Sequence, residues 1–333
     1  MAVTLKDVAE RAGVSRSAVS RTYTEGASVS DKTRKKVERA AADLGYSPNV
    51  LASSLTTGRT KLIGLVSDNF HNPIFLEVFD RCTRGLQQRG LRPLLVNLSD
   101  QTNPENSVRM LRQYSVDAVI VASSTLPVSF AQSFHDAGVP VVHSFGRHTR
   151  TPKVHIVGID NIAAGRLAAT TLIERGYRRI GVMAGPETAT STQDRLKGFR
   201  EVIQDHPEVE SSYSFAKAYS FDAGRAEMLQ LLQGDRAEAY FCGDDVLTIG
   251  ALSAARSSGL SVPGDLGLLG LNDMAMSRWE HFDLTTIRNP IDKIVDASIE
   301  LVVEMLEHPT RPPKARLFEC HVVDRGTLKV GGP

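Results

Sequence analysis

From Ser15 to Tyr23 the chain reads Ser-Arg-Ser-Ala-Val-Ser-Arg-Thr-Tyr, a run of groups able to bond to the edges of nucleic-acid bases. Arg16 and Arg21 carry planar donor forks that can pair with guanine, and Ser17 and Ser20 can donate or accept. Ala18 can meet a thymine methyl. A major groove admits one helix, so this chemistry needs the polar groups on one outward face. Helical spacing supplies that face: Arg16, Ser17, Ser20 and Arg21 fall outside, while Ala18, Val19 and Thr22 turn inward.

The flanking residues can hold such a helix in place. Thr4 is a plausible N-cap for a first helix whose apolar stripe is Leu5, Val8, Ala9 and Ala12. Gly13 gives the freedom for a tight turn, Val14 plugs the gap, and Ser15 caps the second helix. A third helix, capped by Ser30 or Asp31, runs from Lys32 to Leu44 on a stripe of Val37, Ala40, Ala41 and Leu44 and ends at Gly45. Lys32, Arg34, Lys35 and Lys36 at its start favour phosphates. Two short helices, a glycine turn and a polar outer face make a helix-turn-helix. The pattern alone also fits a plain structural bundle. Charge favours the nucleic-acid reading: residues 1–60 hold ten Lys/Arg against six Asp/Glu, and the remainder 29 against 32, although the net charge is only +1.

After Tyr46, Pro48 and Gly58 bracket a helix of about two turns, too short to be stable alone. With this connector the chain resembles the LacI/GalR family of bacterial repressors. The matching residues are Thr4-Leu5-Lys6-Asp7-Val8-Ala9, Ala12-Gly13-Val14-Ser15, Val19-Ser20-Arg21, Val29-Ser30, Thr33-Arg34, Lys36-Val37, Leu44-Gly45-Tyr46 and Pro48-Asn49. The resemblance implies that the second helix enters the major groove of a palindromic duplex and that paired connectors form hinge helices. It places Arg16, Ser17 and Arg21 at base-reading positions, and Thr4, Ser30, Thr33 and Asn49 at the DNA backbone. Leu55, with Ala52 one turn earlier, becomes a wedge in the minor groove. Residues 1–46 would then be the DNA-binding domain and 47–60 the hinge.

From residue 61 strands and helices alternate, which predicts parallel, doubly wound α/β sheets. Strands are expected at 62–66, 92–96, 118–121, 140–143, 179–183, 214–218, 239–242 and 266–271, with helices between them. Two tandem βα sets suggest two lobes with a ligand cleft beyond the strand ends. The family resemblance continues here, through Asn72-Pro73, Asp160-Asn161, Gly165, Gly176-Tyr177, Arg195 to Phe199, Asp244-Asp245, Gly270 to Asp273 and Leu284 to Ile287. It implies a periplasmic-binding-protein-like sensor over 61–333. Lobe one would be about 62–160 with 291–321, and lobe two about 161–290 with 322–330. It carries Asn69, Phe70, Phe75, Ser191, Arg195, Tyr219, Asp244 and Asn272 to the ligand cleft. Asp245 reads as a helix cap. Two positions depart from the family pattern: Asn272 stands where many sugar-binding relatives have Asp, and Gly146 stands in place of the Asp that precedes Arg147. A cleft with fewer carboxylates beside Arg147 and Arg195 suggests a sugar acid or phosphate as effector, within a broader expectation of a carbohydrate.

Other classes are disfavoured. The chain has no Walker loop, GxSxG elbow or dinucleotide glycine triplet, so no enzyme is expected. Cys82, Cys242 and Cys320 have no metal or disulfide spacing, and His71, His143, His148 and His155 read as loop or edge residues without a metal role. No cofactor is expected. A transporter's solute-binding protein would need an export signal and would have no use for residues 1–60. MAVTLKDVAE has no apolar core and no run of about 18 apolar residues occurs, so the expectation is a cytoplasmic protein without membrane contact. With no heptad tail after Lys329, a homodimer is expected.

Overall fold

The computed structural model describes residues 3–24, 26–47, 58–98, 104–309 and 311–330. The chain divides into two compact units, residues 1–60 and 61–333.

The first unit contains α1 (Leu5–Ala12), α2 (Arg16–Thr22) and α3 (Asp31–Leu44). A capping box starts α1: the Asp7 N–H donates to Thr4 Oγ1 at 3.4 Å and the Thr4 N–H to Asp7 Oδ2 at 2.7 Å. The Thr4 N–H and hydroxyl, both donating to Oδ2, hold the Asp7 carboxyl below the usual carboxylate range. Ser15 caps α2 and Ser30 caps α3 through their hydroxyls. Gly13 and Gly45 close α1 and α3 in the left-handed conformation, with φ of 66° and 65°. The core is Val8, Ala9, Val19, Val37, Ala40 and Ala41, ringed by Leu5, Ala12, Val14, Tyr23, Leu44 and Tyr46. Arg34 also has a structural part: its Nη1 donates to the Thr22 carbonyl at 3.0 Å and ties α3 to the end of α2. The connector helix expected after Pro48, with Asn49, Ala52 and Leu55, lies outside the described residues.

In the second unit two six-stranded sheets form. The first runs β11-β5-β4-β3-β1-β2 and the second β12-β10-β9-β8-β6-β7. The strands are β1 (Leu62–Ser67), β2 (Arg92–Asn97), β3 (Ala118–Ala122), β4 (Val141–Ser144), β5 (His155–Ile159), β6 (Arg179–Ala184), β7 (Glu210–Phe215), β8 (Ala239–Phe241), β9 (Gly267–Asn272), β10 (Thr286–Arg288), β11 (Ala315–Phe318) and β12 (His321–Val323). All pairings are parallel except β10 with β12. The helices α4 (Ile74–Gln88), α5 (Pro104–Gln113), α6 (Val128–Asp136), α7 (Asn161–Glu174), α8 (Thr190–Gln204), α9 (Phe221–Leu231), α10 (Asp245–Ser257) and α11 (Ile291–Glu307) complete the βα alternation. The chain passes between the sheets three times: from β5 into α7, from β10 into α11, and from β11 to β12.

One strand lies off its expected place, and β5, β10 and β11 are not among the strands expected from sequence. Near residue 214 the strand runs Glu210–Phe215 rather than 214–218. It is an edge strand paired only with β6, so it tolerates alternating Ser and Tyr without a buried apolar run. β5 was not expected, because His155 and Gly158 interrupt its apolar pattern; every one of its residues is nevertheless buried between β4 and β11. His143 is likewise no edge residue but a fully buried member of β4.

Glycines set the closest helix contacts in the second sheet's layer. A Cβ on Gly165 in α7 would lie 2.0 Å from the Arg195 carbonyl oxygen, and one on Gly198 in α8 would lie 1.9 Å from that of Ile162. The missing side chains let α8 lie backbone-to-backbone on α7, which fixes where Arg195 stands.

Candidate functional site

On the first unit α2 keeps Arg16, Ser17 and Arg21 exposed, with Ser20 and Ala18 half-buried beside them. Val19 and Thr22 are buried on the opposite side. The Ser17 hydroxyl lies 2.9 Å from that of the cap Ser15, and Ser30 Oγ lies 2.9 Å from Thr33 Oγ1. Thr4 is exposed at the start of α1. The face therefore offers two guanidiniums and several hydroxyls on a scaffold fixed by three caps.

On the second unit a small cavity, about 30 Å³, lies where the strand ends of the two sheets converge. In each sheet the strand order reverses at β1 or β6, the place where open α/β sheets bind ligands. Five of the eight ligand residues named from sequence line it: Phe75, Arg195, Tyr219, Asp244 and Asn272. The other three do not. Asn69 sits in the turn after β1 with its N–H on Ser67 Oγ at 3.4 Å. Phe70 stacks on Phe79 with ring centroids 4.9 Å apart. Ser191 is buried at the start of α8, 3.5 Å from the Tyr219 hydroxyl. Sequence reasoning missed Asn72, Ser124, Asn161 and Asn289, which also line the cavity. Three of these are asparagines at β-to-α junctions, Asn72 and Asn289 each directly before a proline. A search for polar residues at strand exits could have found them.

Asp244 is the hub. It caps α10 by accepting from the Val246 N–H at 2.8 Å, and its Oδ2 accepts from Asn72 Nδ2 and Asn272 Nδ2, both at 2.9 Å. Burial, and then the neighbouring Asp245, push its carboxyl up to about 7 against the opposing pull of these donors and of Arg195. Arg195 is buried, donating Nε to Asn161 Oδ1 at 2.8 Å and Nη1 to the Gly243 carbonyl. Asp160 caps α7 through the Ile162 and Ala163 N–H groups, which positions Asn161. Asp245 is not the cap expected from sequence. It is fully buried and accepts from the Met274 N–H and the hydroxyls of Ser277 and Thr286, which secures the loop after β9.

The two lobes meet around the cavity through Asn72 with Asp244, and through Glu77, which accepts from the Ala275 N–H at 2.7 Å. A third link is the ion pair of Arg147 with Asp194, bonded through Nε at 2.8 Å and Nη2 at 2.6 Å. That pair removes a premise of the acid or phosphate ligand, because the Arg147 charge already has a carboxylate. Gly146 also has a local reason. A Cβ there would lie 2.6 Å from the ring of His143, whose Nε2 is 3.1 Å from the Ser123 carbonyl oxygen. Burial lowers the His143 pKa to about 4, so the ring is neutral at physiological pH.

Among the described residues no group of three or more His, Cys, Asp or Glu could hold a metal ion, and no helix is long and apolar enough to cross a membrane.

A helix-turn-helix unit joined to a two-lobed α/β unit with a polar interlobe cavity defines the class of ligand-responsive DNA-binding regulators. Residues 4–49 match the family model of bacterial regulatory proteins of the lacI family, and residues 169–328 match that of the periplasmic-binding-protein-like domain. The chain is 33% identical to the HTH-type transcriptional regulator CelR of Thermobifida fusca, over 97% of each chain. It is 30% identical to the HTH-type transcriptional repressor PurR of Klebsiella pneumoniae, over 98% of this chain and 97% of that one. Its structure is similar to the lac repressor dimer bound to operator and the anti-inducer ONPF (TM-score 0.87, 25% identity, 98% of this chain and 99% of that one). It is also similar to a CelR–cellobiose complex (TM-score 0.72, 30% identity, 98% and 99%). The chain belongs to the LacI family of DNA-binding transcription regulators.

Proposed function

We propose that the chain is a homodimeric repressor that binds a pseudo-palindromic operator in the bacterial cytoplasm and releases or tightens it when a carbohydrate occupies the interlobe cavity. The observation that carries this reading is the cavity wall, drawn from both lobes, in which four amides, two hydroxyls, one acid and one guanidinium, all suited to hydroxyl groups, stand among apolar side chains. The pairing of Arg147 with Asp194 favours a neutral sugar over an acid or phosphate. The cellobiose bound to the CelR relative supports the same class.

In this reading Arg16, Ser17, Ala18, Ser20 and Arg21 read bases, and Thr4, Ser30, Thr33 and Asn49 hold the phosphate backbone. Leu55, with Ala52, wedges the minor groove. Phe75, Arg195, Tyr219, Asp244 and Asn272 hold the effector, with Asn72, Asn161 and Asn289 added to them. Domain limits of 1–46, 47–60 and 61–333 follow from these roles. Closure of the lobes alters how two subunits present their helical units, and the coupling amounts to about 1–3 kcal/mol. No catalytic step is assigned.

The test is operator binding by fluorescence anisotropy, with and without a panel of neutral sugars. Arg195→Ala should keep operator affinity and lose the sugar response, while Leu55→Ala should weaken operator binding and keep sugar affinity. A normal sugar response in Arg195→Ala would show that effectors bind elsewhere.

A further inference from the structure

Among the described residues lining the cavity, one buried side-chain polar atom has no hydrogen-bond partner: Oδ1 of Asn289. Buried carbonyl oxygens are rarely left unpaired, and those that are call for a reason. The neighbours explain why the oxygen, not the nitrogen, is left over. An ionised carboxylate only accepts, so Asn272 must turn its Nδ2 toward Asp244, where it stands 2.9 Å from Oδ2. Asn272 Oδ1 then faces the other way and takes the Asn289 Nδ2 at 3.2 Å. With its nitrogen turned to Asn272, Asn289 has its oxygen on the other side, and that oxygen is the atom left without a partner. The backbone holds the same register, since the Asn289 N–H reaches the Asn272 carbonyl at 3.4 Å. Asn272 itself has φ of 127°, a conformation that side-chain-bearing residues rarely adopt and that gathers at ligand clamps.

The chain of bonds depends on residue 272 being an amide. A carboxylate there would set a second acceptor against Asp244 and break the link at its first step. The departure noted in the sequence is thus what allows Asp244 to dictate the polarity of a residue it does not touch.

We propose that Asn289 is an effector-contacting, specificity-determining residue that selects a ligand with a hydroxyl or N–H donor at this point, its direction set by Asp244 through Asn272. The proposal rests on the reading of this cavity as the effector site. Reversal of the two amides would present an NH₂ group instead and select a carbonyl or carboxylate.

The test uses the full chain at pH 8, above the value of about 7 to which burial raises the Asp244 carboxyl. Cellobiose, lactose, maltose, D-glucose, D-galactose and D-xylose are screened by thermal shift and operator anisotropy. For a sugar that binds, its mono-O-methyl ethers, which keep each oxygen but remove its donor, are titrated calorimetrically. One ether should bind about 100-fold more weakly than the parent. Asn289→Leu should bind the parent about tenfold or more weakly and no longer distinguish that ether. Asp244→Asn, which is isosteric but frees the amide directions, should bind the sugar yet discriminate against the ether less than the wild type. Full affinity together with full discrimination in Asn289→Leu overturns the proposal, as does unchanged discrimination in Asp244→Asn. Failure of every sugar to move either melting or operator binding overturns the carbohydrate-sensor reading itself, and the proposal with it.

Discussion

In residues 3–47 the polar side chains of interest, Arg16, Ser17 and Arg21, stand exposed on a seven-residue helix and have neighbours in sequence for supports. In residues 61–330 their counterparts, Arg195, Asp244, Asn272 and Asn289, are buried and supported by residues far away in the chain, such as Asn72 on Asp244. The first arrangement is made of modular caps and turns, so one side chain can change without disturbing the next. The second is a connected network, in which a change at one residue reorients others. A reader of many sequences gains from an exchangeable exposed face. A sensor gains from a wall whose donors and acceptors are fixed before the ligand arrives.

The contrast is exposed to test first where the effect is largest. Gly165→Ala should destabilise the two-lobed unit by about 3 kcal/mol, because its methyl meets the Arg195 backbone, and should remove the sugar response together with stability. Urea unfolding measures the first effect and operator anisotropy the second; a variant as stable as the wild type would mean that the α7–α8 contact is pliable.

The buried titratable groups give the next effect. His143 has a folded pKa of about 4 against an ordinary 6.5, so its contribution to stability is lost as pH falls from 6.5 toward 4. Asp244, at about 7 against 3.8, binds its proton more readily when folded, so it favours the folded state increasingly as pH falls from 7 toward 4. Between pH 7 and pH 5, His143→Gln should gain about 2 kcal/mol relative to the wild type and Asp244→Asn should lose a comparable amount. Denaturant midpoints across that window report both slopes, and parallel slopes for wild type and His143→Gln would place the ring in contact with water.

Smaller effects belong to the helical unit. Arg16→Ala should cost between about 1 and 2 kcal/mol on the best operator and shift base preference, with sugar affinity unchanged. Arg34→Ala should lower the stability of the helical unit by about 1 kcal/mol through loss of its bond to the Thr22 carbonyl, and should hardly alter the salt dependence of operator binding. Lys36→Ala, on the exposed side of α3, should do the reverse, reducing the salt slope by about one unit. Equal salt slopes for the two variants would return Arg34 to the phosphates.

The helical unit was readable because its information is local. Thr4, Gly13, Ser15, Ser30 and Gly45 announce the caps and turns within a few residues of the elements they limit, and Val8, Val19 and Val37 announce the core by period. The βα alternation was readable for the same reason, strand by strand, except where an edge strand needs no apolar run (Glu210–Phe215), a buried one contains His155 and Gly158, or a strand is only three or four residues long (Thr286–Arg288, Ala315–Phe318).

The sequence by itself therefore determined the family, the alternation of most strands and helices and five residues of the cavity wall. Only the tertiary structure decided which polar groups converge. Phe70 turned into the core, Arg147 found Asp194, Asp245 fixed the loop after β9, and Asn289 was left with an unpaired oxygen. The physical reason is that hydrogen-bond direction and burial are properties of pairs, and the pairs here are distant in the chain: 172 residues separate Asn72 from Asp244. Nothing in the local sequence of either partner encodes the other.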